Sequence, residues 1–262
     1  MPQTVIITGA SAGIGEAAAE LFLQKGFTVY NISRTPSDVR GIKNACADVS
    51  DAEAVEQTIE RIYTAENAID ILINCAGIGI SGSIENTPNG NAEKIFAVNF
   101  FGTAYASKRV IPYMRSRGRG AIINVGSVAG RLPIPFQAYY SATKAAVSAF
   151  SGALRQEVKP FGITVSTVLP GDVKTRFTSG RKKNPYDDAA YGDRIKKSVA
   201  RMERDEENGL PATLIARQIF KLSQKKNPPV CTVGGRAYAL ITLAAKLLPE
   251  RLTSFLVGKL YG

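Results

Sequence analysis

Short runs of continuously apolar residues alternate with longer amphipathic stretches along most of the chain. Residues 4–8 (TVIIT) form a β-branched, apolar run, which is typical of a strand buried on both faces of a parallel sheet. A stretch of helical composition follows and ends at a glycine, Gly26. Buried strands running into turns recur at residues 69–77 and 120–130. The pattern predicts an α/β fold in which helices flank a parallel sheet.

The turn between the first strand and the first helix is rich in glycine, with the sequence GASAGIG at residues 9–15. Glycines let the backbone turn tightly and approach a pyrophosphate closely. The N-terminus of the following helix supplies free N–H groups and a positive dipole for the phosphates. The alternative is a tight turn that merely contains glycines. The flanking strand and helix favour a dinucleotide-binding unit.

Composition excludes whole classes of chemistry. The chain of 262 residues has no histidine and three widely spaced cysteines, Cys46, Cys75 and Cys231. Ser-His-Asp and Cys-His catalysis are therefore excluded, and no zinc site of the usual spacing is expected. A general acid or base must be a tyrosine, a lysine or a carboxylate. The few cysteines, and an N-terminus that enters a strand without a signal peptide, predict a cytoplasmic location.

The net charge of +11 raises the question of an anionic partner, either a nucleic acid or a membrane surface. The sequence contains no helix-turn-helix, zinc or RNA-binding motif, so nucleic-acid binding is not expected. No apolar run reaches the length needed to span a bilayer. A basic surface that keeps the protein in solution is the simpler interpretation of the charge.

Candidate chemistry lies in residues 127–144, SVAGRLPIPFQAYYSATK. Ser127 comes just past the end of a predicted strand, where ligands bind in open α/β sheets. Tyr140 and Lys144 lie one turn apart on one helix face, and an ammonium near the phenol should lower the phenol pKa. The tyrosine could then exchange a proton with a substrate oxygen that the Ser127 hydroxyl binds. A tyrosine–lysine pair alone is weak evidence, and Tyr139 is a poorer candidate because no lysine follows it four residues later.

Seven motifs in order, between residue 4 and about residue 235, resemble the short-chain dehydrogenase/reductase family. They are TGxxxGIG, an Asp-Val pair, Asn-Cys-Ala-Gly, Val-Asn-x-x-Gly, the serine, Tyr-x-x-x-Lys, and Pro-Gly followed by Val-x-Thr. The resemblance implies one doubly wound, Rossmann-type domain over residues 1–262 with about seven parallel strands. It assigns catalysis to Asn99, Ser127, Tyr140 and Lys144. Asn99 would distort its helix and position a water in a proton relay to Lys144.

The resemblance also implies which positions contact the dinucleotide. They are Gly9, Ser11, Ala12, Gly13, Ile14, Gly15, Ser33, Arg34, Asp48, Val49, Asn74, Ala76, Gly77, Tyr140, Lys144, Pro170, Gly171, Val173 and Thr175. Asp48 has an alternative role in capping a turn, with Ser50 or Asp51 capping the next helix. Cys75 stands where the family has asparagine, and we expect it to be a packing residue and not a reactive thiol.

The end of the second strand, residues 27–33, bears on the choice of cofactor. An NAD-selective site places a carboxylate there to bind the ribose hydroxyls, but this strand ends in Ser33-Arg34. A guanidinium suits a 2′-phosphate, and in the family this pattern implies NADP(H); a solvated surface arginine is the alternative.

We therefore expect an NADP(H)-dependent oxidoreductase that interconverts a carbonyl group and an alcohol, with Tyr140 as general acid or base. Its substrate would be small to medium in size and lipophilic. The rival hypothesis is a non-catalytic protein of the same fold that binds the dinucleotide, either as a sensor or as a membrane-associated scaffold.

Two features of the last third lie outside the motifs. Residues 176–209 are polar and charged, with a helix expected at about 189–204, and their position predicts a lid over the substrate. Residues 236–262 are apolar and basic and should form two short amphipathic helices broken at Pro249. This tail contacts a membrane or a lipophilic substrate, or it serves packing or dimerisation. The family resemblance implies a homodimer or homotetramer through the helix after Lys144, whose small residues equally permit close packing within one chain.

Overall fold

Seven parallel strands form the central sheet of the computed structural model, which describes residues 2–184 and 189–262. They are β1 (Thr4–Thr8), β2 (Thr28–Ser33), β3 (Lys43–Cys46), β4 (Ile71–Asn74), β5 (Gly120–Val125), β6 (Ile163–Pro170) and β7 (Cys231–Gly234). Their order in the sheet is β7-β6-β5-β4-β1-β2-β3. The predicted doubly wound sheet is confirmed.

Helices pack on both faces of this sheet and beyond its carboxyl edge. They are α1 (Gly13–Gln24), α2 (Ala52–Glu66), α3 (Asn89–Phe96), α4 (Gly102–Ser116), α5 (Ala138–Val158), α6 (Arg194–Glu207), α7 (Ala212–Ser223), α8 (Arg236–Leu247) and α9 (Glu250–Tyr261). Within the described residues, no helix is long and apolar enough to cross a membrane.

The strand order reverses beside β1, which has β2 on one side and β4 on the other. Thr8 at the end of β1 is in register with Asn74 at the end of β4, and Asn74 with Asn124 near the end of β5. The carboxyl ends of three central strands therefore meet at one level. Ligands of open α/β sheets bind in the crevice at such a reversal.

Two apolar layers hold the helices against the sheet. On one face, Phe22, Phe27 and Phe220 pack edge to face, with ring centroids 5.1 to 6.1 Å apart. On the other face, Ile59 of α2 and Met114 of α4 are fully buried. Fully burying a side chain of this size contributes about 1.5–3 kcal/mol. The two layers thus fix the sheet, and with it the strand ends that build the site.

The predicted lid is tied down where it begins and ends, because Val173–Lys174 pairs in parallel with Leu210–Pro211. Its helix, α6, begins later than the sequence predicted. Gly192 just before it has a φ of 50°, in the left-handed region, which a right-handed helix cannot include. Residues 185–188 of the predicted lid lie outside the described residues.

The C-terminal tail consists of α8 and α9, which meet at Pro249, so the two predicted short helices are confirmed. Tyr238 in α8 packs its ring on Gly171, where a Cβ would come within 2.3 Å of the ring. Tyr261 in α9 donates a hydrogen bond to Asp205 of α6 at 3.0 Å. The tail therefore folds back over the carboxyl end of β6 and against the lid.

Candidate active site

The glycine-rich turn approaches the loop after β4 so closely that side chains are excluded. Gly9 has a φ of 74°, and a Cβ there would lie 2.8 Å from the Cα of Ala76. A Cβ on Gly15 would lie 2.3 Å from the carbonyl oxygen of Gly9. The residue that precedes α1, Ala12, is extended and provides no side-chain cap. The N–H groups at the start of α1 are therefore open to an anionic group such as a pyrophosphate.

Thr8 fixes the position of the loop after β4. Its hydroxyl oxygen accepts hydrogen bonds from the backbone N–H of Cys75 at 3.1 Å and of Ala76 at 3.2 Å. The buried Asn74 donates to the side-chain oxygen of Asn124 at 2.8 Å. Asn74 thus joins β4 to β5 and does not line the cavity described below, whereas Ala76 does.

Ser127, Tyr140 and Lys144 come together at the end of β5. Ser127 follows the strand, and its hydroxyl lies near the Tyr140 phenol, whose pKa it lowers. Lys144, one turn further along α5, is buried and donates from Nζ to the carbonyl oxygen of Val125 at 2.9 Å. The same Nζ lies 5.8 Å from the centroid of the Tyr140 ring. Tyr139 does not line the cavity that these three residues share.

Desolvation controls the pKa values of this group. It raises the pKa of Tyr140 to about 12, and the nearby Ser127 hydroxyl opposes this rise. It lowers the pKa of Lys144 to about 8. The lowered phenol pKa that the sequence argument expected is therefore wrong, since desolvation dominates and Lys144 donates to a carbonyl. A phenol that keeps its proton at neutral pH suits a general acid.

Asn99 lies in a π-helical turn, Ala97–Phe101, between α3 and α4. Its Oδ1 accepts from the backbone N–H of Ile78 at 2.8 Å, and its Nδ2 donates to the Ile78 carbonyl at 3.0 Å. Nδ2 also donates to the Thr143 hydroxyl at 3.1 Å. The expected helix distortion at Asn99 is confirmed, and π-helical turns are often found at functional sites. The side chain holds backbone and helix together, and its role in positioning a water stays a prediction.

A cavity of about 1170 Å³ joins the glycine turn, the Ser127–Tyr140–Lys144 group and the end of β6. All the predicted site residues line this cavity except Asn74 and Asn99. The volume lies above the usual range of roughly 300–1,000 Å³ for small-ligand sites. The space accommodates a dinucleotide and a second molecule beside it.

Ser33 and Arg34 line the end of the cavity beyond the glycine turn. The Arg34 side chain is 59% exposed, and its Nη1 lies 4.0 Å from Oδ2 of Asp48. Asp48 accepts from the backbone N–H of Ser50 at 3.0 Å and from its hydroxyl at 2.7 Å, while Asp51 caps α2. The capping alternative for this segment is therefore confirmed, and Asp48 lines the cavity as well.

The C-terminal helices line the opposite end of the cavity. Their apolar contributors are Ile241, Ala244, Ala245, Leu248, Leu256, Val257 and Leu260. Three polar residues that the sequence analysis did not assign to the site, Asp172, Glu206 and Tyr261, line the same end. The amphipathic pattern of residues 236–262 predicts this apolar wall. Asp172 stands at the variable position of the Pro-Gly motif, and no motif includes Glu206 or Tyr261.

Comparison with known proteins gives relatives along the whole chain. A family model described as short chain dehydrogenase matches residues 3–185. A 3-ketodihydrosphingosine reductase of Bacteroides thetaiotaomicron is 37% identical over 265 residues, covering 100% of this chain and 98% of the relative. An NADPH-dependent 3-dehydrocapnine reductase of Ornithobacterium rhinotracheale is 28% identical, covering 94% of this chain and 93% of the relative.

Solved structures share the fold and the site-bearing sheet. A short-chain dehydrogenase from Streptomyces avermitilis superposes with a TM-score of 0.85 at 25% identity, covering 98% of this chain and 95% of that one. The chain belongs to the short-chain dehydrogenase/reductase family and is a dinucleotide-binding oxidoreductase that interconverts carbonyl and alcohol groups.

Proposed function

We propose that the protein is an NADP(H)-dependent reductase of a ketone carried on a long alkyl chain. The observation that carries the proposal is the apolar wall of α8 and α9, which belongs to the same cavity as Tyr140. The Bacteroides relative is named as a reductase of 3-ketodihydrosphingosine, a ketone on a long alkyl chain. The Ornithobacterium relative is named as NADPH-dependent. These names agree with a lipophilic ketone and with NADPH.

Each member of the group at the end of β5 has a distinct part in reduction. Bound NADPH supplies the hydride. The Ser127 hydroxyl donates a hydrogen bond to the carbonyl oxygen and stabilises its developing negative charge. Tyr140 donates the proton to that oxygen, and its pKa of about 12 keeps the phenol protonated until then. Lys144 lies one helical turn from Tyr140, and its ammonium donates a hydrogen bond to the Val125 carbonyl. This bond fixes the position of the helix that carries Tyr140 relative to the end of β5.

The residues present fit a dinucleotide. The turn at residues 9–15 packs tightly because Gly9 and Gly15 carry no side chains, and it leaves the start of α1 open to a pyrophosphate. Thr175 contacts this turn beside Gly13. Together with Val173 it would bind the carboxamide group of the nicotinamide. Arg34 would pair with the 2′-phosphate, and no carboxylate at the end of β2 opposes it.

The deciding experiment measures NADPH consumption with ketones graded from short to long alkyl chains, 3-ketodihydrosphingosine among them. We expect kcat/KM to rise with chain length, because each buried methylene adds about 0.8 kcal/mol of binding. A Leu256→Asp variant, which places a charge in the apolar wall, should lose this dependence. Absence of turnover with every ketone, or equal kcat/KM for short and long chains, contradicts the proposal.

The outer face of the tail supports contact with an anionic bilayer. Leu240, Leu243, Leu247 and Phe255 are 57% to 80% exposed. Basic residues flank them at Arg236, Lys246, Arg251 and Lys259. We expect the protein to sediment with phosphatidylglycerol vesicles and much less with phosphatidylcholine vesicles. A Leu247→Asp/Phe255→Asp variant should stay in the supernatant, and equal sedimentation of variant and wild type argues against the contact.

A second exposed apolar site supports the expected homo-oligomer. Phe101, in the π-helical turn, is 45% exposed, and its ring stacks on Tyr105 at a centroid distance of 5.9 Å. We expect light scattering to give the mass of a dimer or tetramer and Phe101→Glu to reduce it to that of a monomer. A monomeric wild type overturns this part of the proposal.

A further inference from the structure

Asp172 occupies a fixed place at the substrate end of the cavity. It follows the Pro170-Gly171 end of β6, and its backbone carbonyl accepts a hydrogen bond from the N–H of Leu210 at 2.8 Å. Its half-buried side chain lines the cavity and accepts a hydrogen bond from the hydroxyl of Tyr238. The segment after the lid thus holds the backbone of Asp172, and the tail holds its carboxylate.

Two carboxylates line this end of the cavity, and they differ in their partners. Glu206 is paired with Arg181, whose side chain is 0% exposed, and it accepts from the Thr178 hydroxyl at 2.7 Å. Asp172, in contrast, has no lysine or arginine nitrogen within 4.0 Å among the described residues. Lys259 lines the same cavity, but it is exposed and forms no ion pair with Asp172. Glu206 is paired directly with the buried Arg181 guanidinium, whereas Asp172 feels that charge only at a distance and has no ion-pair partner among the described residues.

A carboxylate without an ion-pair partner in a desolvated place is costly. Desolvation raises the pKa of Asp172 and the nearby Asp205 raises it further, while the hydrogen bond from Tyr238 and the more distant Arg181 lower it. A cation supplied by a ligand removes this cost and gains a charge-assisted hydrogen bond. The site is therefore complementary to a positively charged group that arrives with the substrate.

The carboxylate lines the same cavity as the reacting position. Asp172 is near enough to the Tyr140 phenol to raise its pKa, as is Glu206. The apolar side chains of α8 and α9 adjoin it in the same cavity, and Tyr238 of α8 contacts it directly. In a molecule whose carbonyl lies at Tyr140 and whose alkyl chain lies along the tail, a substituent on the carbon next to the carbonyl would lie beside Asp172.

We propose that Asp172 binds the ammonium group of the substrate and so selects long-chain amino ketones over uncharged ketones of the same length. This inference rests on the proposed function, because it assumes that the ketone reacts at Tyr140. It adds a substrate class and a residue that determines specificity.

The test compares two ketones that differ only in the amino group, 3-ketodihydrosphingosine and 1-hydroxyoctadecan-3-one. Wild-type protein should have a kcat/KM for the amino ketone at least about 10-fold above that for the uncharged ketone, as expected for a hydrogen bond to a charged group. Asp172→Asn keeps the size of the side chain and removes its charge. It should lower the ratio of the two kcat/KM values by about 10–100-fold.

Two matched variants separate the charge of Asp172 from its surroundings. Tyr238→Phe removes the hydrogen bond to Asp172 but keeps the carboxylate, and Asp205→Asn removes a neighbouring charge that does not line the cavity. Both should keep the preference for the amino ketone. The inference is overturned if Asp172→Asn lowers kcat/KM equally for both ketones. It is also overturned if Asp205→Asn abolishes the preference for the amino ketone as completely as Asp172→Asn does.

A binding measurement distinguishes failure of this inference from failure of the proposed function. Calorimetry in the presence of NADP⁺ compares sphinganine with 1,3-octadecanediol, which lacks the amino group. Tighter binding of sphinganine that Asp172→Asn abolishes supports the inference even if neither ketone is reduced. Equal binding of the two compounds to wild-type protein overturns it even if both ketones are reduced.

Discussion

Asn99 donates a hydrogen bond from its side-chain amide to the hydroxyl of Thr143, 3.1 Å away, although the two residues are 44 positions apart in the sequence. The next residue after Thr143 is Lys144. The same amide group pairs with both the N–H and the carbonyl of Ile78 in the loop after β4. One buried side chain thus ties together the π-helical turn, the loop at the strand ends and the helix that carries Tyr140.

Replacing Asn99 should therefore weaken both stability and catalysis. Asn99→Ala leaves the Ile78 N–H, the Ile78 carbonyl and the Thr143 hydroxyl without this partner, and we expect the free energy of unfolding to fall by about 3 kcal/mol. Thr143→Val removes one of the three bonds and also the bond that the Thr143 hydroxyl donates to the Tyr140 carbonyl at 2.7 Å, and it should cost about 2 kcal/mol. Urea unfolding measures both values, and kcat should fall with them. An Asn99→Ala protein as stable as wild type contradicts the bridging role.

The sequence predicted the parts of this site that depend on local pattern and on strand topology. The glycine turn and Ser127 were placed correctly because the carboxyl ends of parallel strands meet at one edge of a sheet. The predicted direction of the Tyr140 pKa shift was wrong, because desolvation of the phenol depends on tertiary packing and Lys144 donates to the Val125 carbonyl. The neighbourhood of Asp172 was not predicted, because its partner Tyr238 is 66 residues away and no motif links them.

Tyr140→Phe tests the general acid directly. The phenylalanine keeps the ring that packs against Phe177 at a centroid distance of 5.6 Å, so the cavity wall is preserved. Loss of the hydroxyl should lower kcat/KM for ketone reduction by about 10³-fold and leave the Kd for NADPH little changed. Tyr139→Phe makes the same chemical change on the neighbouring residue and should retain activity. If the two variants were equally active, the assignment to Tyr140 would be wrong.

Arg34→Ala should shift the cofactor preference. A guanidinium on the 2′-phosphate contributes a charge-assisted contact, so its removal should raise the Kd for NADPH by about 10–100-fold and leave the Kd for NADH nearly constant. Arg40→Ala serves as the matched control, since Arg40 is an exposed arginine that does not line the cavity. A similar loss in both variants would mean that net charge, and not a contact at Arg34, sets the NADPH affinity.

Cys75 should be a slow thiol although it lines the cavity. Desolvation raises its pKa to about 12, against a smaller lowering by Lys144, so little thiolate exists at neutral pH. Peptide mass spectrometry after brief iodoacetamide treatment should find the exposed Cys46 alkylated well before Cys75. Alkylation of both cysteines at the same rate would indicate a reactive thiol at Cys75.

Lys144 should make stability depend on pH in a defined direction. Its pKa is about 8 in the folded protein and near 10.5 when exposed, so the unfolded chain binds more protons between these values. Wild-type stability relative to Lys144→Met should therefore rise with pH from about 8 to about 10.5, by at most about 1.4 kcal/mol per pH unit. Urea unfolding at a series of pH values measures the difference, and both proteins carry Cys75→Ala because Cys75 and Lys144 shift each other's pKa. The exposed Lys108→Met variant corrects for loss of a lysine elsewhere. A stability difference that stays constant or falls over this pH range would show that burial does not lower the pKa of Lys144 in the folded protein.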